Sequence, residues 1–115
     1  MIRILYGIPN CDTVKKARVW LDGQGVDYVF HDYKVAGANK PDLERWVAEH
    51  GWETVLNRAG TTFRALPDAE KAGLDAGKAV ALMLAQPSMI KRPVLDLGDR
   101  TVVGFKPDLY AGVLT

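Results

Sequence analysis

Apolar residues follow two different rhythms along this chain, and the order of those rhythms predicts a mixed α/β fold. Ile2, Ile4 and Leu5 make a short β-rich start that Gly7 and Pro9 interrupt, after which Val14, Ala17 and Leu21 recur at helical spacing. Lys15, Lys16, Arg18 and Asp22 occupy the rest of that cylinder, and Gly23 and Gly25 stop it. Val26-Asp27-Tyr28-Val29-Phe30-His31 then alternates as a second strand does. The result is a βαβ unit, with parallel strands and a right-handed crossover.

Asn39 is a suitable cap for a helix with Lys40 and Pro41 at its start, Leu43, Trp46 and Val47 on its inner face, and its end near His50-Gly51. Between Glu53 and Leu66 the pattern breaks into short amphipathic fragments around Ala59-Gly60-Thr61-Thr62. Asp75 then caps a helix over Ala76–Ala85 that is apolar nearly all round and is expected to be buried. After Gln86-Pro87 and Arg92-Pro93, the segments Val94-Leu95-Asp96-Leu97 and Arg100-Thr101-Val102-Val103-Gly104 form a hairpin about Gly98-Asp99. Pro107 starts a last helix packed through Leu109, Tyr110, Val113 and Leu114. The predicted order is β-α-β, a helical insert over about 36–86, then β-β-α, within one domain spanning 1–115.

Composition narrows the function classes. With 48% hydrophobic and 25% charged residues in 115, the chain suits one globular domain with its own core. Fifteen Lys and Arg against fourteen Asp and Glu leave a net charge of +1, so no global field draws nucleic acid. Lys15-Lys16 and Lys91-Arg92 are too short for a direct nucleic-acid footprint and have no interleaved aromatics. The longest apolar run, Ala79–Ala85, is far below the ~20 residues of a membrane span, so no membrane role is expected. One cysteine and two scattered histidines, His31 and His50, offer no metal-ligand spacing. A single cysteine without a secretory leader points to a reducing cytoplasm. Trp20, Trp46 and Trp52 fall on or beside helix faces and read as packing.

The residue left over for chemistry is Cys11, in the run Tyr6-Gly7-Ile8-Pro9-Asn10-Cys11-Asp12-Thr13-Val14-Lys15-Lys16. It ends the first strand's loop and stands just ahead of the first helix, whose unpaired N–H groups and positive dipole end favour thiolate over thiol. A lone cysteine is otherwise a small buried hydrophobe. A shift of about two pKa units takes about 2.7 kcal/mol and a helix terminus supplies only ~0.3–1 kcal/mol, so a reactive sulfur needs a further cation. Lys15 and Lys16 lie one turn along the same helix, Asp12 opposes them, and arginines distant in sequence become the candidates.

Pro9-Asn10-Cys11 after the opening strand, Ile90-Lys91-Arg92-Pro93 ahead of the hairpin, and Gly104-Phe105-Lys106-Pro107 near the end resemble the arsenate reductase (ArsC) and Spx family over the whole chain. Within it the chain is most similar to the short, single-cysteine YffB-type proteins. The resemblance implies a thioredoxin-like fold: a mixed four-stranded sheet with an inserted helical subdomain. It also implies that Cys11 is the nucleophile and that Arg92 precedes a proline, Pro93, whose peptide bond in this superfamily is often cis. Lys106 stands where arsenate reductases carry an arginine, and cannot form the bidentate fork an oxyanion prefers. The middle arginine of that pattern falls on Asn57, with Arg58 adjacent and Arg64 nearby. A Cys-x-x-Cys switch needs its second sulfur at Val14.

The activity implied is glutathione-dependent thiol-disulfide oxidoreduction by one activated cysteine. No cofactor is expected to be held; glutathione is the cosubstrate, and a small or protein disulfide is the substrate, with glutaredoxin a further partner. Cys11 and Arg92 are then catalytic, while Asn10, Thr13, Lys15, Pro93, Lys106 and either Arg58 or Arg64 contact substrate, Thr13 by a hydrogen bond to the sulfur. The alternatives are arsenate reduction and Spx-like binding of RNA polymerase without catalysis.

Overall fold

β1 (Ile4–Gly7) buries Leu5, Tyr6 and Gly7 in succession, as a central strand covered on both faces does. In the computed structural model, which describes residues 3–114, β1 pairs in parallel with β2 (Val29–Asp32) and antiparallel with β3 (Val94–Asp96). β3 pairs antiparallel with β4 (Thr101–Val103), completing a four-stranded mixed sheet in the order β2-β1-β3-β4. Its register matches Tyr6 with His31 on one side and with Val94 on the other. The predicted mixed sheet is therefore present. The chain divides into two compact units: a sheet unit of the described residues up to Ala36 and from Arg92 onward, and a helical unit, Gly37–Lys91.

Within the sheet unit, α1 (Asp12–Gly23) buries Val14, Ala17 and Leu21, the three positions its spacing singled out. Gly25, at φ +68°, takes the left-handed position past the helix end; its N–H donates to Asp22 O and that of Val26 to Leu21 O. This cap claims Val26. The second strand accordingly begins at Val29, not at Val26 as alternation suggested, and runs one residue past His31. Leu5, Ala17, Leu21, Leu95, Leu97, Val102 and Tyr110 form the core, with Trp20, Phe30 and Phe105 packed against it. Each fully buried leucine contributes about 1.5–3 kcal/mol.

The hairpin turns at Gly98-Asp99 as predicted, with the Leu97 N–H donating to Arg100 O at 2.9 Å. Beyond it, Gly104 adopts φ +87°, donates its N–H to Pro93 O at 2.8 Å, and accepts at its own carbonyl from the Tyr110 hydroxyl of α8 (Pro107–Leu114) at 3.2 Å. Burial raises the Tyr110 hydroxyl's pKa well above its ordinary value. A raised folded-state value in an acid means stability that is whole below about pH 10, the unfolded tyrosine's value, and lost as pH climbs from there toward the folded value. Urea titrations from pH 8 to 11 should therefore show alkaline destabilisation that Tyr110→Phe reduces. At neutral pH the same variant should lose about 1 kcal/mol with its hydrogen bond.

The helical unit holds α3 (Lys40–His50), α4 (Trp52–Val55), α5 (Thr61–Arg64), α6 (Asp68–Lys71) and α7 (Ala76–Ala85). Both predicted caps are made: Asn39 Oδ1 accepts from the Asp42 N–H at 3.2 Å, and Asp75 Oδ1 from the Lys78 N–H at 2.8 Å. Leu43 and Trp46 of α3 are fully buried. The expectation of a buried α7 holds only in part, for Ala79, Val80 and Met83. Its other positions include Ala76, Gly77, Ala81 and Ala85, all exposed, and residues that small leave little apolar surface in water.

Candidate functional site

The strand directions bring four segments to one end of the sheet. β1 and β2 both finish there, β3 begins there because it is antiparallel, and β4 finishes there in turn. The loop carrying Cys11, the segment His31–Lys34, the Arg92–Pro93 dipeptide and the loop Gly104–Lys106 consequently meet at the C-terminal end of β1. Residues far apart in sequence become neighbours by register.

The Cys11 loop is a tight turn, closed by the Cys11 N–H donating to Ile8 O at 3.2 Å, with Pro9 and Asn10 exposed at its tip. Cys11 caps α1 in extended backbone conformation, φ −88° and ψ 126°, and its carbonyl accepts from the Lys15 N–H at 2.9 Å. Its thiol is reduced and half-buried. Gly7 lets the helix come this close: a Cβ there would lie 2.8 Å from Val14 Cγ2. The residue in the place of a second sulfur is thus a packing residue seated on the strand.

Thr13 and Lys15 are exposed on the first turn, and among the described residues no hydrogen bond joins the Thr13 hydroxyl to Cys11 Sγ. The Arg92–Pro93 peptide bond is cis, Pro93 is buried and Arg92 half-buried. Lys106 is exposed, two residues past the Gly104 that is tied to Pro93. Arg58 and Arg64 belong to the helical unit; both are exposed, with Arg58 lying 5.4 Å from the Trp52 ring centroid. Asn57 is half-buried beside them, its N–H donating to Met89 O at 2.7 Å.

One cation at this end escaped the sequence reading. Asp32 Oδ1 accepts from the Lys34 N–H at 2.8 Å, turning the chain from β2 into the short α2 (Tyr33–Ala36), and Lys34 Nζ reaches Asn10 Oδ1 at 3.5 Å. Asp-x-Lys at the end of a strand parallel to β1 was the available signal. Beside it Tyr6, His31 and Tyr33 form an aromatic cluster with ring centroids 4.7–6.1 Å apart, so His31 acts in packing. His50 Nε2 lies 3.4 Å from Glu49 Oε2. Among the described residues no group of His, Cys, Asp and Glu is arranged to hold a metal ion.

Comparison with known proteins agrees with this architecture. The model of the ArsC family matches residues 6–113. A solved YffB protein is 67% identical, with TM-score 0.96, over 98% of this chain and 99% of that one. An arsenate reductase (ArsC) related protein from Brucella melitensis is 52% identical, with TM-score 0.76, over 100% of this chain and 96% of its own. The global transcriptional regulator Spx of Streptococcus mutans is 26% identical over 90% of this chain and 77% of its own length.

Proposed function

This chain belongs to the ArsC family, and from that membership and its single cysteine we propose that it is a glutathione-dependent thiol-disulfide oxidoreductase. The observation that carries the reading is a half-buried cysteine at the cap of α1, at the end of the sheet where the buried cis-proline lies and where Lys34 reaches Asn10, with valine in place of a resolving thiol. The first helical turn presents unpaired N–H groups at this cysteine. With no second cysteine, the mixed disulfide it forms is resolved by an external thiol.

The cycle balances with two glutathiones. Cys11 thiolate attacks one sulfur of a substrate–glutathione disulfide, the new Cys11–glutathione bond forms as the old one breaks, and the substrate leaves as a thiolate that takes a proton from water. A second glutathione thiolate attacks the glutathione sulfur of the mixed disulfide, returning Cys11 and leaving oxidised glutathione. Arg92 orients the tripeptide, whose two carboxylates also face Lys106 and Lys15. The tripeptide backbone lies along Pro93. A compartment rich in reduced glutathione, the cytoplasm, is where this chemistry runs.

Mass spectrometry tests it. Oxidised glutathione should add one glutathione to Cys11, excess reduced glutathione should remove it, and iodoacetamide at pH 7 should alkylate Cys11 faster than it alkylates free glutathione. Alkylation no faster than that of the free tripeptide would defeat the activated-thiolate reading.

A second reading, regulation without catalysis, draws on the Spx relative. Under it, binding to RNA polymerase would survive Cys11→Ser unchanged. Arsenate reduction is the weaker option because Lys106 offers a point charge where a bidentate guanidinium would grip the oxyanion.

A further inference from the structure

A shallow groove of about 450 Å³ runs along α1 away from the nucleophile, lined by Lys15, Lys16, Val19, Trp20, Phe105 and Pro107. Its floor is apolar: Trp20 and Phe105 pack with ring centroids 6.4 Å apart, and both abut the buried Tyr110. Val19, in the middle of the amphipathic α1, is 72% exposed. The rim is basic. Lys15 and Lys16 stand on it, Lys106 is held between Phe105 and Pro107 in the chain, and among the described residues no carboxylate lines the groove.

Its position relative to Cys11 follows from helix geometry. Lys15 lies four residues and Val19 eight residues beyond Cys11, hence ~6 Å and ~12 Å along the axis. An extended peptide advances ~3.3 Å per residue, so a chain whose sulfur is at Cys11 has its residues two to four positions away over this groove.

We infer that the groove selects the disulfide substrate, favouring a protein segment that places an aromatic residue among acidic ones two to four positions from its reacting cysteine. The aromatic side chain covers Val19, Trp20 and Phe105, and the flanking carboxylates meet Lys15 and Lys16. This deepens the oxidoreductase reading and rests on it, since that reading alone leaves open whether the substrate is small or a protein. The docking itself requires no chemistry at Cys11.

The test uses the peptide Ac-Glu-Phe-Glu-Glu-Cys-NH2 and its analogue with lysine in place of each glutamate. In their serine forms, which cannot react, they are titrated into the isotopically labelled protein while amide signals are followed. The acidic peptide should shift Lys16, Val19 and Phe105 and bind at least about fivefold more tightly than the lysine analogue, an advantage that added salt shrinks. Val19→Asp, on an exposed site that leaves the fold intact, should abolish the shifts, and Lys16→Glu should remove the preference for acid. As glutathione mixed disulfides, the acidic cysteine peptide should be reduced about fivefold to tenfold faster than the lysine one, while reduction of hydroxyethyl disulfide is unchanged in both variants. Equal binding of the two peptides, shifts confined to other residues, or a self-association of the protein that Val19→Asp dissolves would each overturn the inference. Binding of the serine peptides as expected with no turnover of any disulfide would instead defeat the oxidoreductase reading and leave the groove standing.

Discussion

Cys11→Ser is expected to abolish glutathione-dependent disulfide reduction, lowering turnover by about 10³-fold or more while leaving the thermal midpoint within a few degrees of the parent. The two properties separate because of where the sulfur sits. Cys11 is half-buried at the cap of α1 and makes no side-chain capping hydrogen bond, whereas its backbone closes the turn onto Ile8 and accepts from Lys15. Serine keeps both backbone bonds and is a better cap than cysteine, since its hydroxyl oxygen accepts from the N–H groups of the first turn. It cannot carry out thiol-disulfide exchange, because a hydroxyl is scarcely ionised at neutral pH and forms no disulfide. Stopped assays with a glutathionylated peptide and a melting curve on the same sample check both halves. Residual turnover above about a tenth of the parent's would remove Cys11 from the nucleophile's role.

Gly7→Ala should cost about 1–3 kcal/mol by overpacking, and the loss should shrink when Val14 is also truncated to alanine. The added methyl would stand 2.8 Å from Val14 Cγ2, inside the closest approach carbon atoms tolerate, and a tight 3.2 Å from Cγ1. Val14 is fully buried on the first turn of α1, so relief comes by lifting the start of that helix, and with it Cys11, from the strand. Val14→Ala alone costs about 1.6 kcal/mol for two methylene equivalents plus a cavity term. The double variant should therefore be more stable than the sum of the single losses implies, by about 0.5–3 kcal/mol. Denaturant midpoints for the four proteins measure this coupling. Strict additivity would mean the close approach of helix and strand does not govern the loop's position.

Much of the architecture was legible because it is written in local chemistry. Val14, Ala17 and Leu21 recur at the spacing of one helical face, and that face is what α1 buries. Asn39 and Asp75 cap the helices they were assigned to, since a short polar oxygen ahead of an apolar period satisfies free N–H groups without help from elsewhere. Local rules misled where two of them competed. The alternation from Val26 onward suited a strand, but the Gly25 cap took Val26 for its own hydrogen bond and delayed β2 to Val29. The all-apolar stretch of α7 suited burial, but alanine and glycine tolerate water too well for composition to decide which face turns inward.

By itself the amino-acid order determined the succession of elements, the mixed sheet and the identity of the one thiol, because periodicity, capping residues and turn residues act over a few positions. Only the tertiary structure decided the company that sulfur keeps. The register of β1 against β2 and β3 brings Lys34, Pro93 and the Gly104 loop to the end of the sheet where Cys11 emerges, and the glycine at position 7 sets how near α1 approaches. Register depends on which strands pair and in which direction across gaps as wide as that from Ile4 to Asp96, a choice made by the burial of a whole core that no single segment encodes.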